Sequence, residues 1–223
     1  MTNFSRETLK LYFVAGTQDC RHLPHTPEQN LLGVLETALQ NGITCYQLRE
    51  KGAHALQDEA RIRRLAGECR ALCRRYGVPF VLNNDVRSAL AWGADGVHIG
   101  QQDMPLREAA NLCRGKIFLG ISNNSLANAQ TSAAAACADY LAAGPIFPTQ
   151  SKPDAKAPVG VDLVRQVRAA GIAAPLVAIG GITAGTAPLL RAAGADGIAV
   201  ISAIAAAADV AQAVRALAAD GAA

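Results

Sequence analysis

One short phrase returns along this chain. Ala91-Trp-Gly-Ala-Asp-Gly-Val-His-Ile-Gly100 has a counterpart in Ala192-Ala-Gly-Ala-Asp-Gly-Ile-Ala-Val-Ile201. Ala136-Cys-Ala-Asp-Tyr-Leu-Ala-Ala-Gly144 is a weaker relative, and Gln40-Asn-Gly-Ile-Thr-Cys-Tyr-Gln47 is weaker still. Each reads as the end of an Ala-rich helix, a small turn residue and a short strand. A glycine just past the last helical residue supplies a left-handed cap. The apolar run that follows barely alternates, as in parallel strands covered on both faces. Marking every unit of this form predicts strands over 11–15, 43–49, 80–84, 96–100, 117–122, 140–144, 176–181 and 197–202. Helical patterns fall between them over 28–40, 56–76, 86–92, 105–113, 126–136, 161–170, 186–193 and 209–219.

Strict βα alternation suits either an open doubly wound sheet or a closed barrel. Eight units, with no Gly-x-Gly-x-x-Gly after the first strand, favour an α/β fold of one domain over 1–223, a single (β/α)8 TIM barrel. At 223 residues the chain is short for that fold, usually ~250, so few insertions are expected. The formal charge of +3, from 21 Lys and Arg against 18 Asp and Glu, is too balanced for a dedicated nucleic-acid binder. Asp139, Asp196 and Asp209 interrupt the Ala-rich runs, so no membrane span is expected. The opening MTNFSRETLK lacks an apolar signal core, and a cytoplasmic location is expected. Six scattered cysteines without Cys-x-x-Cys read as free thiols rather than a disulfide or zinc framework.

On such a barrel the chemistry belongs to the loops that follow the strands. After strand 2, the period of two puts Gln47, Arg49 and Lys51 on one side, and Leu48 and Glu50 on the other. Two cations converging at a strand end call for an anion; an exposed charged turn is the competing reading. Asn83-Asn84-Asp85 follows strand 3, where Asp85 suits a helix N-cap. Asn84 or Asp85, with Asp103 after strand 4, could supply the one or two oxygens a Mg2+ ion takes from protein. His98, inside strand 4, reads better as a hydrogen-bonded structural histidine than as a base. Ser122 ends strand 5. Strand 6 leads into the long segment 144–160, a lid or a surface loop, carrying Thr149, Ser151 and Lys152. Gly180-Gly181 and Ile201-Ser202 close strands 7 and 8, where barrels commonly bind phosphate on backbone N–H groups. Two anion sites on one rim suit the joining of two phosphorylated small molecules.

These positions together resemble the thiamine phosphate synthase family. The resemblance rests on Tyr46-Gln-Leu-Arg-Glu-Lys51, Asn83-Asn-Asp-Val86, Gly93-Ala-Asp-Gly-Val-His-Ile-Gly-Gln-Gln-Asp103, Gly120-Ile-Ser122, Gly144-Pro-Ile-Phe-Pro-Thr-Gln-Ser-Lys152, Ala178-Ile-Gly-Gly-Ile182 and Ala195-Asp-Gly-Ile-Ala-Val-Ile-Ser-Ala-Ile204. It implies condensation of hydroxymethylpyrimidine diphosphate with a thiazole phosphate, through a pyrimidine cation, with Mg2+ as cofactor. By that resemblance Gln47, Arg49, Lys51, Asn83, Ser122 and Lys152 hold the pyrimidine diphosphate. Arg49, Lys51, Ser122 and Lys152 would be catalytic. Thr149, Ser151, Gly181, Ile201 and Ser202 surround the thiazole phosphate, and the metal ligands map onto Asn84 and Asp103. Asn84 departs from the family's usual aspartate, and Ser151 stands where a threonine is favoured. Small-molecule partners are implied, without nucleic acid or membrane; a homo-oligomer is compatible with the sequence. A related barrel isomerase, resembling the thiazole tautomerase, and a non-catalytic binder of thiamine-related ligands are the rival readings. Retention of Arg49, Lys51, Asp103 and Lys152 favours the synthase, while Asn84 favours the isomerase.

Overall fold

The computed structural model of the protein describes residues 4–151 and 156–219. Eight parallel strands close into a barrel in sequence order: β1 (Leu11–Ala15), β2 (Cys45–Leu48), β3 (Phe80–Asn83), β4 (Gly96–Ile99), β5 (Phe118–Asn123), β6 (Tyr140–Ala143), β7 (Leu176–Ile179) and β8 (Gly197–Val200). β8 returns to β1, with Tyr12 opposite Ala199. Outside them run α1 (Pro27–Gln40), α2 (Glu59–Arg75), α3 (Val86–Ala91), α4 (Leu106–Cys113), α5 (Leu126–Ala134), α6 (Asp162–Ala169), α7 (Ala187–Ala192), α8 (Ser202–Ala205) and α9 (Val210–Ala218). The α/β barrel expected from the repeats is therefore the fold observed.

The recurring phrase has a structural meaning. Its four copies precede β2, β4, β6 and β8, and each carries an oxygen that clips the start of the preceding strand. Asp95, Asp139 and Asp196 accept the backbone N–H of Phe80, Leu119 and Leu176 at 2.9, 2.7 and 2.7 Å. Each returns its own N–H to the carbonyl of that same residue at 2.8 Å. Thr44 does both with Leu11, at 2.9 Å each way. Strand-end N–H groups that would otherwise be buried without partners are thereby satisfied.

The core has two layers. Strands and helices enclose an outer apolar shell, while Leu9, Tyr12, Val14, Cys45, Val81, Phe118, Tyr140, Val177 and Ala199 belong to a second cluster within the barrel. Glycines make room for the rings: a Cβ on Gly96 would strike Phe118, and one on Gly120 would strike Tyr140. Phe4 closes the end opposite the strand C-termini, with ring centroids 5.0 Å from Phe118 and 5.7 Å from Tyr140. The arginine-rich helix α2 buries Leu65, Ala66, Cys69 and Cys73. Arg61 and Arg75 face outward to Glu28 and Glu36 on α1.

Six of the eight expected strands run too far at their C-terminal ends; β1 ends where expected and β5 runs one residue further. β3 stops at Asn83 because Asn84 turns left-handed (φ 67°), a conformation Asn tolerates better than most residues. β7 stops at Ile179, before two glycines at φ 108° and 62°. The strand expected over 197–202 ends at Val200, and Ser202 instead starts the four-residue helix α8. Among the described residues no helix is long and apolar enough to cross a membrane, and the six cysteines are free.

Candidate active site

The strand C-termini surround a cavity of about 240 Å3. Arg49, Lys51, Asn83, Asn84, Asp103, Ser122, Thr149, Gly181, Ile201 and Ser202 all line it. The period-two reading of the β2 end therefore describes the molecule. Arg49 is only 3% exposed although it borders the cavity, and its N–H extends the ladder to Ala15 O at 3.0 Å. Glu50 points the other way and fastens the segment. Its carboxylate accepts Thr17 N and Oγ1 at 2.6 and 2.8 Å, and Leu56 N at 2.8 Å. Asp19 adds a second brace beneath Arg49. Burial pushes its carboxyl above the usual range, opposed by the Gly16 N–H, the Arg49 charge and the Gln18 amide.

The residues proposed for metal divide clearly. Asp85 is a helix cap: its two oxygens accept Ser88 N at 2.9 Å and Ser88 Oγ at 2.6 Å. Asn84 and Asp103 border the cavity. Asp103 Oδ2 accepts the Gly100 N–H at 2.6 Å, and its other oxygen has no hydrogen-bond partner among the described residues. No cluster of three or more His, Cys, Asp and Glu forms among those residues. One carboxylate and one amide oxygen suit a hard ion that completes its shell with phosphate and water.

Two expected residues stand apart from the cavity wall, and a third lies outside the described residues. Gln47 lies in the barrel interior, 3% exposed, and donates to Tyr12 Oη at 2.6 Å. Ser151 ends the described part of the β6–α6 loop, its N–H donating to Thr149 Oγ1 at 3.3 Å. Lys152 falls outside the described residues. The base of that loop is ordered by backbone pairing rather than irregular. Ile146 and Phe147 donate to Ile179 O and Gly180 O at 2.9 and 3.0 Å, and Val159 and Gly160 close back onto Pro145 O and Ile146 O. This explains the glycine pair: a Cβ on Gly181 would collide with Pro148 O, and one on Gly180 would press on Pro145.

Sequence reasoning missed Lys156, an exposed cation that joins Arg49 and Lys51 at the cavity. Its signal was present, as a lysine within the loop already singled out. Gln101 was also missed; it bridges the β4 and β5 ends by donating to Ser122 O at 2.8 Å. His98 is hydrogen-bonded on both ring nitrogens, to Tyr140 Oη at 2.9 Å and Ser122 Oγ at 2.8 Å, as the structural reading expected.

Charge decides what such a mouth accepts. Among the described residues three cations face one carboxylate around it, and a buried guanidinium is stable only where anionic groups approach it. The molecule is in this respect a (β/α)8 barrel enzyme built for small anionic substrates.

A family profile described as thiamine monophosphate synthase matches residues 11–204. A thiamine-phosphate synthase of Pasteurella multocida is 56% identical over 209 residues, covering 94% of this chain and 95% of that protein. One from Helicobacter pylori strain J99 is 49% identical over 214 residues, covering 96% and 98%. The solved thiamine phosphate pyrophosphorylase from Pyrococcus furiosus superposes with a TM-score of 0.79 at 34% identity, with 95% of each chain covered. A 3-hexulose-6-phosphate synthase shares the fold alone, at 18% identity and a TM-score of 0.64. The chain belongs to the thiamine monophosphate synthase family.

Proposed function

We propose that this protein joins hydroxymethylpyrimidine diphosphate to a thiazole phosphate, releasing pyrophosphate and forming thiamine phosphate. The observation that carries the proposal is the meeting of Arg49, Lys51, Asn84, Asp103 and Ser122 at one cavity. Arg49 and Lys51 hold the diphosphate, with Ser122 donating to it and Asn83 beside it. Lys152 joins them by family resemblance. Gln47 is grouped with the pyrimidine diphosphate by the same resemblance and lies beneath the cavity, bonded to Tyr12. Thr149, Ser151, Gly181, Ile201 and Ser202 cradle the thiazole phosphate, with the α8 N-terminus behind it. Mg2+, held by Asn84 and Asp103, would neutralise charge on the diphosphate.

The chemistry requires little from side chains as bases or nucleophiles. Cleavage of the bond to the diphosphate leaves a pyrimidine methyl cation that the ring amino group stabilises. Negative charge gathers on the leaving group, where Arg49 and Lys51 stand ready. Groups fixed where charge develops lower the barrier more than groups that bind substrate and transition state alike. The thiazole nitrogen then attacks the cation. Enclosure by the 144–160 loop would keep water from capturing it first.

Incubating the pure protein with both phosphorylated substrates and Mg2+ tests this directly. Thiamine phosphate and pyrophosphate should form in equal amounts. A folded protein that yields neither refutes the proposal, and isomerisation of the thiazole phosphate alone would favour the isomerase reading.

A further inference from the structure

A continuous line of hydrogen bonds crosses the barrel interior beneath the cavity. Gln47 Nε2 donates to Tyr12 Oη at 2.6 Å, and Tyr12 Oη lies 3.1 Å from Tyr140 Oη. Tyr140 Oη then meets His98 Nδ1 at 2.9 Å, and His98 Nε2 meets Ser122 Oγ at 2.8 Å. Four of these five side chains are buried, and the line reaches the cavity at Ser122 and His98, which both border it.

The direction of donation along this line matters. The Gln47 amide can only donate through nitrogen, so Tyr12 is an acceptor at the far end. A hydroxyl that accepts there passes its own proton onward most favourably to an oxygen, and Tyr140 is that oxygen. Burial holds both phenols protonated, with pKa values well above the ordinary value. Tyr140 then donates to His98 Nδ1, which must carry a lone pair. The ring proton is left on Nε2 and is given to Ser122. Ser122, having accepted, turns its own proton into the cavity. The opposite order would make Tyr12 accept twice and send its proton toward the Cys45 thiol, a weak acceptor. It would also turn only lone pairs of Ser122 toward an incoming anion.

We infer that His98 is a positioning residue, fixed as its Nε2–H tautomer by the Tyr140 hydroxyl so that Ser122 is committed to donate its proton to the substrate's diphosphate. The assignment of the diphosphate to Ser122 rests on the function proposed above; the tautomer does not.

Two measurements test it. In the full-length protein labelled with 15N-histidine, the four imidazoles (His22, His25, His54 and His98) are read by NMR, with the His98 pair assigned by its loss in His98→Gln. One neutral tautomer with the proton on Nε2 is expected. A proton on Nδ1, or two averaging tautomers, overturns the inference whether or not the protein makes thiamine phosphate. The second compares Tyr140→Phe in wild-type and Ser122→Ala backgrounds. In the first, kcat should fall about tenfold or more, the scale of one misdirected hydrogen bond to a charged group, with KM for the thiazole phosphate unchanged. In the second, the same change should cost almost nothing further. Equal losses in both backgrounds would show that Tyr140 does not act through Ser122, and would overturn the inference.

Discussion

Replacing Asp139 by alanine takes away one acceptor from one buried backbone N–H. Leu119 is 1% exposed, and its N–H points to Asp139 Oδ2 at 2.7 Å. The return bond, Asp139 N–H to Leu119 O, belongs to the backbone and survives. A hydrogen bond to a charged acceptor contributes ~1.5–3 kcal/mol, and a stranded buried donor costs ~1–3 kcal/mol. These describe the same loss from two sides, so the expected destabilisation is about 2–3 kcal/mol rather than their sum. In a chain of this size each kcal/mol moves Tm by ~2–4 °C, so Asp139→Ala should melt about 4–12 °C lower. Asp139→Asn keeps an acceptor oxygen and loses only its charge, so a fall of about 1 kcal/mol is expected. Asp95→Ala should resemble Asp139→Ala. Asp196→Ala should exceed both, because Asp196 also receives Arg168 and Arg6 at 2.7 and 2.5 Å. Thermal and urea unfolding measure the ranking, and amide exchange at Leu119 reports the clip itself. If Asp139→Ala costs under ~0.5 kcal/mol, the range of an ordinary surface change, or if Asn is as damaging as Ala, the clip is not what secures these strands.

Glu50→Gln should keep the Thr17 N–H bond but turn an amide nitrogen toward the Leu56 N–H. Stability should drop by about 2 kcal/mol, and KM for the pyrimidine diphosphate should rise as Arg49 and Lys51 loosen; an unchanged KM would free the Arg49–Lys51 segment from Glu50. Asn84→Asp places a carboxylate where a left-handed backbone still accepts it, so Tm should hold and the Mg2+ concentration for half-maximal rate should fall; no fall removes Asn84 from the metal. Burial pushes the Cys113 thiol up to about 11 and Cys20 to about 12, and raises Cys45, Cys69 and Cys73 as well. A thiol reagent at pH 8 should therefore reach half-buried Cys137 first and the other five only on unfolding. These folded-state values lie above the unfolded thiol value of 9.0, so the unfolded chain loses protons first, and stability should decline as pH rises past about 9. Equal labelling of six thiols in folded protein would contradict the burial.

Why the repeats were legible only before even-numbered strands follows from the clips. A side-chain acceptor at Thr44, Asp95, Asp139 or Asp196 serves the strand before it, so each single residue secures two strand starts. The odd strands receive the bond and need no special residue of their own. Their positions were readable from apolar runs alone. Strand C-termini were harder to read because the turn lies in the backbone. Ile201-Ser202-Ala203-Ile204 continues the apolar character of β8, yet the chain bends at Ile201 (φ −113°, ψ −84°) into α8.

Parity along a strand predicts which side a residue faces, and it does not predict depth. Arg49 and Gln47 share a face, but two residues of rise separate the cavity wall from the barrel interior, ~6–7 Å by strand geometry. Gln47 therefore meets Tyr12 rather than open space. The Tyr12–Tyr140 contact joins residues 128 apart in sequence and exists only because β1 and β6 face each other across a closed barrel. No local pattern encodes that pairing. The same holds for Gly181, whose missing side chain reads as room for phosphate until the loop backbone at Pro148 is seen to need the space. A side chain there would push on the loop that carries Thr149, so Gly181→Ala should raise KM for the thiazole phosphate. If KM is unchanged while Phe147 keeps its bond to Gly180, contact between the loop and this glycine does not position the thiazole site.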